Sequence, residues 1–309
     1  MSLWPWAAGA ALVALPALRE LRRAPRGRRL REEAPGDFAA LPGGRTHYTW
    51  LGPERGPVAV CVHGLTTPSY VWLGLARKLV AMGFRVLIYD LPGRGYSDAP
   101  RGLQTPGMFA TQLDGLLAQE GVEGDITLIG YSMGGMIAAL WAAKNVHRLR
   151  QLILLAPAGM GITLDAKTRW ARDWPLVGDW VFHMLYPGAA ARALRAQEAE
   201  PSSVEGIVDR QRAEMGRRGY VRSVLSSLRG TLRRSSEAAQ RNLSAAGVPV
   251  LAIWGREDPV VPLSAMGQLS QWNRTVRQVV VDGAGHGLPY THTDSVAAAI
   301  RAHWIAPGP

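Results

Sequence analysis

Residues 126–135 read Ile-Thr-Leu-Ile-Gly-Tyr-Ser-Met-Gly-Gly. The apolar run Ile126 to Ile129 has the character of a buried strand, and Met133 to Lys144 has the composition of a helix, so Ser132 falls at the corner between them. A serine held in a strained corner with its hydroxyl above a sheet edge leaves no space for a side chain two residues away on either side, and Gly130 and Gly134 supply that space. The backbone N–H of Met133, in the first turn of the helix, faces whatever oxygen sits beside Ser132 and can stabilise negative charge there. The pentapeptide alone is weak, and its strand-turn-helix setting gives it weight.

Outward from this corner the chain repeats one rhythm. Strand-like runs at Thr46 to Leu51, Val58 to Val62, Arg85 to Tyr89, Gln151 to Leu155, Val250 to Trp254 and Val276 to Val281 alternate with helical stretches at Tyr70 to Ala81, Pro106 to Gln119, Met133 to Lys144 and Asp294 to Trp304. That order predicts an α/β fold with a mostly parallel central sheet and helices on both faces. The rhythm breaks between Leu155 and Val250. An interval of that length signals an insertion, read here as a helical cap over residues 159–246. The α/β core then occupies residues 46–158 and 247–309, behind a linker at 32–45. The cap carries Trp170, Trp174, Trp180 and Phe182, taken as candidate substrate-binding rings beside the alternative that such rings merely pack.

A serine hydroxyl is a poor nucleophile at neutral pH and needs a histidine to take its proton and a carboxylate to orient that histidine. Asp258 follows the strand Val250 to Trp254, and His286 follows the strand ending at Val281 in a glycine-rich loop. Loops beyond the carboxyl ends of parallel strands converge on one edge, so Ser132, Asp258 and His286 are expected to meet there as the catalytic residues. Glu257 and His292 are their competitors; the first reads as a solvated loop charge and the second as part of the entry to the last helix. A second oxyanion donor is expected from the loop after Val58 to Val62, where His63-Gly64-Leu65 offers the N–H of Leu65 to join that of Met133. One such donor is worth roughly 3 to 4 kcal/mol in comparable sites. His63, Asp90 and Arg94 are read as residues that shape loops.

The 309 residues, 47% of them hydrophobic, suffice for one large α/β domain or two small ones. The single cysteine, Cys61, excludes an intrachain disulfide, and no spacing of Cys and His suits a metal, so neither metal nor cofactor is expected. A formal charge of +11 would suit a nucleic-acid binder, but the basic residues are mostly arginines spread along the chain without a recognition motif. No nucleic-acid partner is expected, and the oligomeric state is open. Leu3 to Leu18 is uncharged and runs into Arg19, Arg22, Arg23, Arg26, Arg28, Arg29 and Arg31. This gives residues 1–31 the look of a membrane anchor with a cationic flank, although roughly 24 Å of helix falls short of a ~30 Å hydrocarbon core, and the segment could instead lie flat in one leaflet. The arginine flank would place the remainder on the cytoplasmic side of a bacterial inner membrane, the periplasmic side being the alternative. A membrane surface is then an expected partner.

Taken together, His63-Gly64, the loop Asp90 to Asp98, the Gly130 to Gly134 elbow with Gly135 after it, Asp258 and His286 resemble the α/β-hydrolase family. Within it they resemble the capped serine esterase and lipase branch, including monoacylglycerol-lipase-like and membrane-anchored bacterial phospholipase-like members. The resemblance covers about Thr46 to Ala306. It implies the α/β-hydrolase fold and hydrolysis of carboxylic esters through an acyl-enzyme, with lipid-like glycerides or (lyso)phospholipids as candidate substrates. An aspartate at the elbow would mark dehalogenases and epoxide hydrolases of this fold, and Ser132 argues against both. Acyl transfer, thioester hydrolysis and carbon–carbon bond hydrolysis use the same residues, and a non-catalytic receptor on the same fold is the alternative of another class.

Overall fold

Eight strands, β1 (Asp37–Leu41), β2 (Gly44–Leu51), β3 (Val58–Val62), β4 (Arg85–Tyr89), β5 (Ile126–Tyr131), β6 (Leu149–Leu155), β7 (Val250–Gly255) and β8 (Arg277–Val281), form one sheet in the computed structural model, which describes residues 4–305. Their order is β1-β2-β4-β3-β5-β6-β7-β8. The pairs β1·β2 and β2·β4 are antiparallel and the other five are parallel.

Side chains of a strand alternate between faces, and here each face has its own core. Val60, Val62, Leu128, Leu152, Leu154 and Trp254 point to one side, where helices Pro106–Gln119, Met133–Ala142 and Ser264–Trp272 bury Phe109, Leu113, Trp141 and Leu269 against them. Cys61, Ile88, Ile129, Ile153 and Ile253 point to the other, beneath Leu75 and Leu79 of helix Leu73–Ala81 and Ile300 of helix Thr293–His303. The central strands are apolar on both faces because both are covered. Cys61 is fully buried, and burial pushes its thiol well up.

The expected linker at 32–45 is corrected in its second half. Asp37–Leu41 is an edge strand that pairs with β2 across the two-residue turn Pro42-Gly43. Its apolar stretch is only four residues long, too short to register as periodic, and its pairing comes from its neighbour.

Between β6 and β7 stand helices Ala166–Asp173, Val177–Ala196, Ile207–Met215, Tyr220–Gly230 and Glu237–Ala245. The first four share a separate small core of Ala171, Phe182, Leu194, Met215, Val224 and Leu228. Arg229 fastens them: its guanidinium donates to both Asp179 oxygens at 3.0 and 2.8 Å and to the carbonyls of Ala171 at 2.8 Å and Arg172 at 3.0 Å. The fifth helix returns to the sheet, burying Leu243 in the first of the two sheet cores.

The anchor expectation is corrected as well. Trp4–Arg22 is a 19-residue helix with Pro16 inside it and Arg19 and Arg22 in its last turn, and among the described residues no helix is long and apolar enough to cross a membrane. Trp4, Pro5, Trp6, Gly9 and Pro16, with the charged Arg19, Glu20 and Arg22, hold its mean hydropathy down. The inner-membrane localisation, on either side, is therefore withdrawn; Met1 to Leu3 lie outside the described residues. The helix meets the protein instead. Trp180 Nε1 donates to Leu12 O at 2.9 Å, Arg218 Nη2 donates to Leu21 O at 2.6 Å, and Glu20 accepts from the N–H of Gly219. Beyond it Arg26 is buried, donating to Gly93 O at 2.9 Å, Arg218 O at 3.1 Å and Gly95 O, with Glu214 at 3.8 Å. The segment before the sheet thus joins the cap to the Leu91–Asp98 loop.

Arg26→Ala removes these donors from buried acceptors and leaves Glu214 short of a cation. The expected loss is about 3 kcal/mol of unfolding free energy, read as a lower urea midpoint at unchanged m-value.

Candidate active site

Ser132 has φ +55° and ψ −119°, a region that a non-glycine residue occupies only when its surroundings enforce it. What enforces it is contact on both sides. A Cβ on Gly134 would stand 2.1 Å from Val62 O and 2.4 Å from His63 O, and one on Gly130 would stand 2.5 Å from Gly134 O. The corner is further pinned by Ser132 N donating to Leu155 O at 2.9 Å and by Ala158 N donating to Ser132 O at 3.0 Å. The outcome is a hydroxyl raised above the carboxyl ends of β3, β5 and β6.

The three loops meet at that hydroxyl. Ser132 Oγ lies 2.9 Å from His286 Nε2, and His286 Nδ1 lies 2.7 Å from Asp258 Oδ2. With Nδ1 donating to the carboxylate, Nε2 is left as an acceptor for the serine proton. Asp258 is itself fixed, since its Oδ1 accepts from the N–H groups of Val260 at 2.7 Å and Val261 at 2.9 Å. Its side chain is 1% exposed. Glu257 is exposed, and His292 turns its Nδ1 toward Thr291 Oγ1 at 3.0 Å, at the start of the last helix; neither joins the group. Sequence reasoning did not single out Tyr131. Its hydroxyl donates to His286 O at 2.8 Å and its ring packs on the imidazole at 5.3 Å, so the residue next to the serine also steadies the histidine. Only its place inside the pentapeptide could have signalled this.

Gly64 lies against the serine, since a Cβ there would be 3.3 Å from Ser132 Cβ. The Leu65 and Met133 N–H groups border this spot, and no hydrogen bond engages either among the described residues. The loop that carries Leu65 is held from two directions. His63, wholly buried, accepts at Nε2 from Leu91 N at 2.8 Å and donates from Nδ1 to Gly64 O at 2.8 Å. Arg94, also wholly buried, donates to Leu65 O at 3.1 Å on the core side and to Ser227 Oγ at 2.8 Å and Ser223 O at 3.2 Å on the cap side. Behind them Asp90 accepts from His47 Nδ1 at 2.7 Å, Ser69 N at 2.8 Å and Tyr96 N at 2.9 Å. Burial opposes the charge on Asp90, but the hydrogen bond and charge of His47 win and hold its carboxyl far below the usual range.

Beside Leu65 and Val260 the cap and core enclose a cavity of about 390 Å³, walled by Leu164, Ala190, Leu194, Met215, Val224 and Leu228 among others. None of the four aromatic rings singled out in the cap lines it. Trp170 and Trp174 stack on each other at 6.1 Å and stay 41% and 59% exposed, Trp180 faces the amino-terminal helix, and Phe182 is buried in the cap core. The rings that do line the cavity are Tyr186, stacked 4.5 Å from Phe182, and Tyr220. Helical spacing placed the tryptophans on the outer side of the cap, a matter of face that composition does not reveal.

Burial pushes His63 down to about 4 from its ordinary 6.5, because the charged ring would be cut off from water. Between those values the unfolded chain binds the proton more readily than the folded one. His63 therefore costs nothing above pH 6.5 and removes stability as pH falls toward 4, by about 3 kcal/mol in all. Urea midpoints measured from pH 7 to 4 should fall less steeply in His63→Asn than in the wild-type protein.

Comparison with known proteins agrees with this architecture. The family model for the alpha/beta hydrolase fold matches residues 57–293. A pimeloyl-[acyl-carrier protein] methyl ester esterase of Neisseria meningitidis serogroup B is 28% identical over 251 residues, 81% of this chain and 93% of the relative. A 2-hydroxy-6-oxononadienedioate/2-hydroxy-6-oxononatrienedioate hydrolase of Burkholderia vietnamiensis is 28% identical over 262 residues, 81% of this chain and 87% of the relative. Among solved structures, a bacterial membrane phospholipase A superposes with a TM-score of 0.70 at 23% identity, over 97% of this chain and 95% of that one, a likeness of fold. With its family model spanning most of its length, the chain belongs to the alpha/beta hydrolase family.

Proposed function

We propose that the protein is a serine hydrolase of carboxylic esters that carry one apolar acyl chain. The observation that supports this most directly is the continuous hydrogen-bond chain from Asp258 through His286 to Ser132, ending beside two unengaged backbone N–H groups. In this reading Ser132 Oγ attacks the ester carbonyl as its proton passes to His286 Nε2. The N–H groups of Leu65 and Met133 receive the oxyanion, and the imidazolium, steadied by Asp258, protonates the departing alcohol. Water then enters, gives its proton to His286, and releases the acid from the acyl-serine. No metal or cofactor takes part in these steps.

The cavity narrows the substrate class. Ligand pockets span roughly 300 to 1,000 Å³, and about 390 Å³ with mostly aliphatic walls suits a single chain of medium length better than a two-chain lipid. Monoacylglycerol and lysophospholipid esters fall in this class, and the candidate substrate residues shift from the outer tryptophans to Leu164, Leu194, Met215 and Val224. A second reading, hydrolysis of a carbon–carbon bond, draws on the relatives named for 2-hydroxy-6-oxo acids. Substrate comparison separates the two: turnover of a 2-hydroxy-6-oxo-dienoate well above that of any p-nitrophenyl ester would favour the second.

Hydrolysis of p-nitrophenyl esters should rise from acetate toward medium chains. Ser132→Ala should lower kcat by at least ~10⁴ and abolish labelling by a fluorophosphonate, with the thermal transition kept. A folded wild-type protein that the probe leaves unlabelled would remove the hydrolase reading.

A further inference from the structure

Helix Ile207–Met215 is a wall shared by two cavities. Gln211 and Met215 face the one beside the triad, whereas Arg210, Ala213 and Glu214 face another of about 270 Å³, on the β2 and β4 side of the loop that carries Leu65. This second cavity plays no part in the chemistry above. Its floor is apolar, formed by Leu51, Leu73 and Ile88, and the rings of Tyr70 and Tyr96 stand at its sides.

Its polar groups are unevenly satisfied. Glu214 is engaged by Arg217 Nη1 at 2.5 Å and by Gly95 N at 2.9 Å, and Asp90 by His47. Arg217 also lies over the Tyr96 ring at 4.8 Å. Two groups remain. The Tyr70 hydroxyl is buried and has no hydrogen-bond partner among the described residues. Arg210 stands over the Tyr70 ring at 5.8 Å with no carboxylate against it among the described residues. Of the charged groups that line the cavity, Arg210 and Arg217 face Glu214 and Asp90, and a protonated His47 adds one positive charge. Burial works against a charged His47, but the hydrogen bond and charge of Asp90 outweigh it and raise its pKa.

A phenolic donor, a guanidinium with no carboxylate against it among the described residues, a histidine that Asp90 holds toward its charged form and an aliphatic floor describe the complement of a small apolar acid. We propose that this second cavity binds a small monocarboxylate, its carboxylate accepting from Tyr70 Oη and Arg210 and its hydrocarbon body lying on Leu51, Leu73 and Ile88. The site is independent of the ester chemistry, and its occupant need not be a substrate.

Calorimetric titration with hexanoate, using hexanol as the neutral control, tests the proposal on the full chain. Saturable hexanoate binding is expected, with hexanol at least tenfold weaker. Tyr70→Phe and Arg210→Ala should each weaken hexanoate at least fivefold, while Ala190→Trp, which narrows the cavity beside the triad, should leave it unchanged. An unpaired buried hydroxyl stabilises nothing, so Tyr70→Phe should melt at the wild-type temperature or above it. The proposal is overturned by an absence of saturable binding, by hexanoate affinity unaltered in both Tyr70→Phe and Arg210→Ala, or by loss of binding in Ala190→Trp. A lower melting temperature for Tyr70→Phe would also overturn it, since the hydroxyl would then already have a partner.

Discussion

A positive φ at a serine is costly, of the order of 1 to 3 kcal/mol, and persists only where neighbouring backbone leaves no alternative. At Ser132 the neighbours are the carbonyls of Val62 and His63, against which Gly134 is pressed, and the helix turn that crowds Gly130. Everything near the site answers to this fit. The close approach of the Met133 helix to β3 sets the height of the hydroxyl, and the fully buried residues Met133, Ile137 and Trp141 of that helix lock it on the sheet. Asp258 and His286 arrive on loops that need only reach one fixed point, which is why their distance in sequence from Ser132 is immaterial.

Arginine is the second organising theme. A formal charge of +11 would suit a nucleic-acid binder, yet many guanidiniums are turned inward or sideways to the chain's own carbonyls. Arg26 binds Gly93 O, Arg94 binds Leu65 O, Arg229 binds Ala171 O, Arg222 binds Ala99 O, and Arg148 binds Val122 O. A planar fork with five donors can satisfy several acceptors at a junction where loops from different layers meet, and a lysine could not. Net charge, in this protein, is partly a by-product of how its layers are fastened.

What the sequence disclosed and what it hid follow from the range of the interactions. The elbow was legible because Gly130, Ser132 and Gly134 are neighbours in the chain; the order of strands and helices carried the α/β class, and the motifs together carried the resemblance to the α/β-hydrolase family. Asp258 and His286 could be singled out because both lie just after strands, and the structure brings them to Ser132 at hydrogen-bonding distances. Strand β1 escaped notice because its four apolar residues acquire meaning only through pairing with β2. The amino-terminal stretch read as an anchor because an uncharged run followed by arginines is ambiguous, and contacts with Trp180, Arg218 and Gly219 are invisible from composition. The cap tryptophans misled for the same reason, since which face of a helix meets the cavity depends on packing.

The cap has its own small core, and the walls of the cavity beside the triad come almost wholly from it; the sheet side contributes chiefly Leu65, Thr66 and Val260. Replacements at Leu164, Ala190 or Leu194 therefore lie outside the packing that shapes the serine corner, and changes that share no partners tend to combine additively. In the proposed function, chemistry and selectivity are thereby written in separable parts of the polypeptide. On the proposed reading of that cavity as the acyl site, descendants of such a chain can exchange one acyl group for another by drift in the cap, while the serine corner beneath is inherited intact.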